Sequence, residues 1–68
     1  METAYVDWIG RPVILRVQAG SLHVPVRGRL ILETPVSLRL CIAANWTANI
    51  FKSMIGGIEP DVSPSLWS

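Results

Sequence analysis

Val24-Pro25-Val26-Arg27-Gly28-Arg29-Leu30-Ile31-Leu32-Glu33 is the stretch on which the fold turns. Val24, Val26, Gly28, Leu30 and Leu32 fall on one face, and Pro25, Arg27, Arg29, Ile31 and Glu33 on the other. A period of two is the pattern of a strand with one face against a core. Pro25 has no backbone donor, so it belongs near the start of the strand or on an edge. Gly28, inside the apolar set, marks a sharp bend, a bulge or a close approach of another backbone. Such a bend lets one long strand serve both halves of a small barrel.

On the N-terminal side, Ala19-Gly20-Ser21 reads as a turn, preceded by a second alternation. There Val13, Leu15 and Val17 face inward, and Ile14, Arg16 and Gln18 lie between them. Further back, Tyr5, Trp8 and Ile9 have the i, i+3, i+4 spacing of one face of a short helical turn. Thr3 is placed to cap that turn, and Gly10 with Pro12 to end it. On the C-terminal side, Glu33-Thr34-Pro35 turns the chain. Leu38, Leu40 and Ile42 then point inward, and Ser37, Arg39, Cys41 and Ala43 outward. After Ala44-Asn45 the period continues through Trp46, Ala48 and Ile50. Lys52-Ser53-Met54 interrupts it, and Ile55 and Ile58 close a last strand before Pro60. The pattern predicts an all-β fold, a small five-stranded barrel with a short N-terminal helical turn. Residues 1–60 form the expected single domain, and 61–68, which lack any period, a C-terminal tail.

The segment Ile50-Phe51-Lys52-Ser53-Met54-Ile55-Gly56-Gly57-Ile58 resembles the strand, 3₁₀ turn and last strand that end SH3-like barrels. Phe51 stands where SH3 domains usually carry proline, and the first half lacks their peptide-binding aromatic and acidic residues. The resemblance thus implies the barrel but not proline-rich peptide binding. The front half resembles the Sm-like family, which shares that barrel: a short helix (Tyr5 to Ile9), a glycine turn (Gly20) and a bent second strand with an internal glycine (Gly28). Glu33-Thr34-Pro35-Val36-Ser37-Leu38 occupies the region of that family's RNA-contact loop, with Ser37 at or near the position of its asparagine. The Sm-like resemblance implies an oligomeric ring that binds single-stranded RNA.

Composition narrows the classes. The 68 residues are 50% hydrophobic and 16% charged, with a net charge of +1, which is neither a disordered composition nor a strongly basic nucleic-acid coat. The one cysteine excludes an internal disulfide and a multi-cysteine zinc site. No apolar run approaches the roughly 18 residues of a membrane span, so no membrane partner is expected. The N-terminus has neither the basic start nor the continuous apolar stretch of a secretory signal, which makes the expected location cytoplasmic and the Asn45-Trp46-Thr47 acceptor triplet incidental. A chain this short buries little apolar surface, and domains of this size usually add disulfides, a metal or a partner chain. One cysteine and one histidine, Cys41 and His23, leave little room for the first two, so a homo-oligomer is the expectation.

Candidate functional residues are few. Arg16, Arg27, Arg29 and Arg39 fall on the outward face of neighbouring strands, where they would form either a basic patch for phosphate contacts or solvated, salt-bridged strand faces. Trp8 is expected to pack the helical turn on the barrel, and Trp46 to take an inward or rim position. Both, with Cys41 read as a small apolar side chain at an interface, are candidate interface residues. Leu66 and Trp67 are the apolar side chains of the tail. His23 stands alone beside a turn without further ligands at metal spacing, and no nucleophile is placed with a base. No cofactor and no catalysis are expected. The expected function is a non-catalytic β-barrel module that self-associates and mediates macromolecular interaction, with an unidentified protein partner. The alternative is an Sm-like ring that binds single-stranded RNA through its outward arginines.

Overall fold

A computed structural model describes residues 5–62. Five antiparallel strands carry the fold: β1 (Pro12–Ala19), β2 (Leu22–Glu33), β3 (Ser37–Ala43), β4 (Trp46–Phe51) and β5 (Ile55–Pro60). They stand in the order β4-β3-β2-β1-β5, so the all-β expectation holds. A 3₁₀ turn, Val6–Trp8, precedes β1, and a second, Lys52–Met54, joins β4 to β5. The N-terminal helical turn is thus a single 3₁₀ turn, with Gly10 at φ +86° just beyond it. Thr3, Leu66 and Trp67 lie outside the described residues.

The sheet curls. β4 and β5 occupy opposite ends of the strand order, and only Lys52–Met54 separate them in sequence. In a flat sheet those ends would stand about 19 Å apart, at about 4.8 Å per strand spacing. From Phe51 to Ile55 a 3₁₀ rise of about 2 Å per residue covers only about 8 Å. The two ends therefore come together at this corner, which is compatible with a small barrel-like fold.

β2 makes the curl. Leu22 to Arg29 pair with β1, whereas Arg29, Leu30, Leu32 and Glu33 pair with β3. Arg29 alone has a partner in both ladders, Pro12 on one side and Cys41 on the other. One residue earlier, Gly28 lets β3 in: a Cβ there would sit 2.9 Å from the Cys41 carbonyl oxygen and 3.3 Å from Leu40 Cβ. The internal glycine is a close backbone approach, one of the meanings its position allowed. At the β1–β2 hairpin Gly20 takes φ +64° in the loop between the paired Ala19 and Leu22, where two-residue hairpins favour glycine.

Val13, Leu15, Leu30, Leu38 and Leu40 are fully buried and Tyr5 nearly so. Trp8, Val17, Val26, Ile50, Ile55 and Ile58 pack around them. Among the residues placed inward by alternation, Val24, Leu32 and Ile42 do not join this core. Val24 remains 46% exposed and Ile42 38%, and Leu32 is half-buried. Register shifts between Leu30 and Leu32 and between Cys41 and Ala43 break the simple alternation. In addition, Leu22–Val24 lie at the far end of the β1–β2 hairpin, without a β3 partner and exposed. Ile9 also departs from its expected packing and is exposed.

Candidate interaction surfaces

The arginines lie on the outward side, and the ladders show how they are spaced. Arg27 pairs across from Ile14, Arg29 from Pro12, and Arg16 from Pro25. Arg16 and Arg27 are thus diagonal neighbours on one face of the β1–β2 hairpin, with Arg29 two residues further along β2. Arg39 stands two residues from Cys41, the β3 partner of Arg29. All four are exposed.

Their partners differ. Arg29 Nη1 donates to the Gly10 carbonyl oxygen at 2.9 Å and ties the first 3₁₀ turn to β2. Arg39 Nε donates to Asn49 Oδ1 at 3.0 Å across the β3–β4 ladder. Arg16 Nη2 lies 3.8 Å from Glu59 Oε1, a long and exposed pair of little energetic weight. Arg27 makes no ion pair or side-chain hydrogen bond among the described residues. The arginines thus differ in their contacts: Arg27 makes none among the described residues, Arg16 is loosely held, and Arg29 and Arg39 each donate one exposed hydrogen bond.

Trp8 is half-buried against the core, with the Arg11 guanidinium 5.5 Å from its ring centre. Trp46 requires a correction. It sits opposite Ala43 at the start of β4 and is 62% exposed. The register shift between Cys41 and Ala43 carries the end of the hairpin past the core, leaving the residue largely uncovered by the described residues. Phe51, at the other end of β4, and Val36 beside it are exposed as well. Cys41 is half-buried between Arg29 and Thr47 in the ladders, and its Sγ donates to the Ala43 carbonyl oxygen at 3.1 Å.

One polar cluster escaped the sequence reading. The Glu33 carboxylate accepts from Lys52 Nζ at 2.5 Å and from the Tyr5 backbone N–H at 3.3 Å. Lys52 Nζ also stands 5.7 Å from the centre of the Tyr5 ring. Glu33 is therefore paired with Lys52, and the three residues pin the N-terminal segment to the end of β2 and to the second 3₁₀ turn. Only pairing the end of β2 with the Lys52–Met54 turn could have revealed it, because the residues are far apart in sequence. The Thr34 hydroxyl fixes the adjoining turn, accepting from the Ser37 N–H at 2.9 Å.

The Lys52 hydrogen bond holds the Glu33 carboxyl below its ordinary value; partial burial opposes this, and the Lys52 charge and the Tyr5 N–H reinforce it. A depressed carboxyl pKa contributes stability that is present above the unfolded value, about 4.3, and lost as pH falls through the folded value. Acid unfolding of the wild type is accordingly expected to include a Glu33 component below about pH 4.3. Glu33→Gln should lower stability at neutral pH and flatten that acid limb, as read by urea unfolding at a series of pH values. An unchanged acid limb would contradict this.

Among the described residues no three His, Cys, Asp or Glu side chains come together as metal ligands, and no helix is long and apolar enough to cross a membrane. In comparisons with known proteins, no family model, no curated protein and no solved structure matches the chain.

Proposed function

We propose that this chain is a non-catalytic β module that self-associates through its sheet edges and offers the rest of its surface to a macromolecular partner. Strand β4 carries the reading. Trp46-Thr47-Ala48-Asn49-Ile50-Phe51 forms one end of the sheet, with no charged residue and no proline along it. Edge strands that remain solitary are usually guarded by lysine, proline or an inward charge, because an open edge pairs with other chains. Here the edge carries instead two exposed aromatic side chains, Trp46 and Phe51. The other open edge, β5, bears Glu59 and Pro60 only at its far end. Pairing β4 of one copy with β5 of the next is a heterologous contact, which builds a closed ring or an open filament. The strand order and the 3₁₀ turn between β4 and β5 support an SH3-like barrel, and the bent β2 supports its Sm-like variety.

The test is the mass in solution, by size-exclusion chromatography with light scattering across about a tenfold concentration range. Wild type is expected above the monomer mass, and Trp46→Lys, at an exposed position, to shift it toward monomer with an unchanged far-UV spectrum. A monomeric wild type at the highest concentration would overturn the reading. The single-stranded RNA alternative rests on Arg27, whose free guanidinium a ring would repeat around its axis. Its signature would be binding that weakens steeply with salt.

A further inference from the structure

A half-open depression of about 490 Å³ lies on the outer side of the β1–β2 hairpin, lined by Arg16, Gln18, His23, Val24, Pro25 and Gly56. Its floor is a bulge. Arg16 pairs with Gly57 and the next residue, Val17, pairs with Ile55, so Gly56 is an extra residue in β5 without an opposite number. Bulges of this kind are common beside binding sites, where they re-aim neighbouring side chains. Gly56 also keeps the floor open, because a Cβ there would meet Gln18 Nε2 at 2.8 Å. Gln18 and His23 are direct cross-strand partners, and Arg16 follows two residues earlier on β1.

Three side chains with N–H donors thus border one depression that, among the described residues, no carboxylate lines. The nearest described acid, Glu59, holds Arg16 only at 3.8 Å, with both side chains exposed, so the guanidinium can turn onto a ligand. Donors from separate positions suit the peripheral oxygens of a tetrahedral phosphate better than a planar carboxylate, and arginine binds phosphate with two parallel hydrogen bonds. The depression is far larger than a phosphate group and falls within the size range of small-molecule sites. Val24 and Pro25 give it an apolar side. We infer that it binds a phosphomonoester carrying a flat organic body, a nucleoside monophosphate being the matching chemistry. This inference does not depend on self-association and fails or stands separately from it.

The experiment titrates the ¹⁵N-labelled full chain with uridine and adenosine 5′-monophosphates, and in parallel with inorganic phosphate and with uridine, following amide shifts. Saturable shifts at Gln18, His23 and Gly56 are expected with at least one monophosphate, weaker shifts with inorganic phosphate and none with uridine. Arg16→Gln should weaken binding about tenfold, the loss of a charge-assisted hydrogen bond. Arg27→Gln, a diagonal neighbour of Arg16 that does not line the depression, should change it less than about twofold, because only a solvent-screened charge without ligand contact is lost. Gly56→Ala should abolish the shifts with the fold intact, because the atom it would meet is the end of a flexible side chain. No saturable shift with either monophosphate at millimolar concentration overturns the inference. So does equal weakening by Arg16→Gln and Arg27→Gln, which would mark diffuse charge attraction.

Discussion

Gly28→Val is expected to abolish the cooperative unfolding transition, and Gly28→Ala to cost about 1–3 kcal/mol. The reason is not backbone freedom, since Gly28 is absent from the glycines with positive φ. It is space. The first side-chain atom at this position would stand 2.9 Å from the Cys41 carbonyl oxygen and 3.3 Å from two atoms of Leu40. Leu40 can adjust, but the carbonyl is backbone in the ladder that Arg29 and Cys41 begin. To relieve the contact β3 must move away from β2 just where β2 leaves β1 for β3. Valine adds branches to the same crowded site, against a total stability of about 3 to 10 kcal/mol for a chain of this length. Gly10→Ala is the informative contrast. Gly10 is at φ +86° with nothing within 4 Å of its Cβ position, so its cost is conformational, about 1–2 kcal/mol. Urea unfolding followed by circular dichroism separates the two. A Gly28→Ala variant as stable as wild type would refute the close-approach account.

Leu15→Ala is expected to cost about 2–5 kcal/mol, enough to leave much of the population unfolded at room temperature. Leu15 is fully buried in β1, opposite Val26 of β2 on one side and Ile58 of β5 on the other. It is therefore shared by both ladders of β1, and no fully buried side chain of β5 is available to fill the space. Ile31→Ala makes the matched control: the same apolar class, exposed on β2 at the register shift, with an expected cost within about 0.5 kcal/mol. Thermal unfolding monitored by tryptophan fluorescence reads both. Similar losses from the two variants would show that burial does not set the cost.

What the sequence made legible was local. Alternation located the five strands, because each has a run of residues with one face against the core. Gly10, Gly20 and Gly28 could be read as punctuation, because each occupies a place that a side chain or an ordinary φ would spoil. Lys52-Ser53-Met54 was legible as a break because three polar or flexible residues interrupt the period. What was not legible depends on register. A shift of one residue at Cys41 carries Trp46 off the core, and no local pattern announces it. The Glu33–Lys52 pair and the Gly56 bulge likewise arise from how distant strands align. The arginines were placed on the right side, but their separate partners, Gly10, Asn49 and Glu59, come only from the assembled sheet.

The order of the strands also bears on how the chain reaches this state. Three of the ladders, β1–β2, β2–β3 and β3–β4, join neighbours in sequence and can zip from their own turns. The fourth joins β1 to β5, with Val13 opposite Pro60, and requires the two ends of the sheet to find each other. Loop closure of that span precedes any reward from Ile55 and Ile58, so the docking of β5 is the entropically demanding event of folding. The same strand is the one whose release leaves the three hairpins intact, which makes it the natural unit of partial opening in the native molecule. Once it lifts, β1 becomes an edge in its turn, and the last strand of a neighbouring copy can take the vacant place with the contacts already encoded for its own.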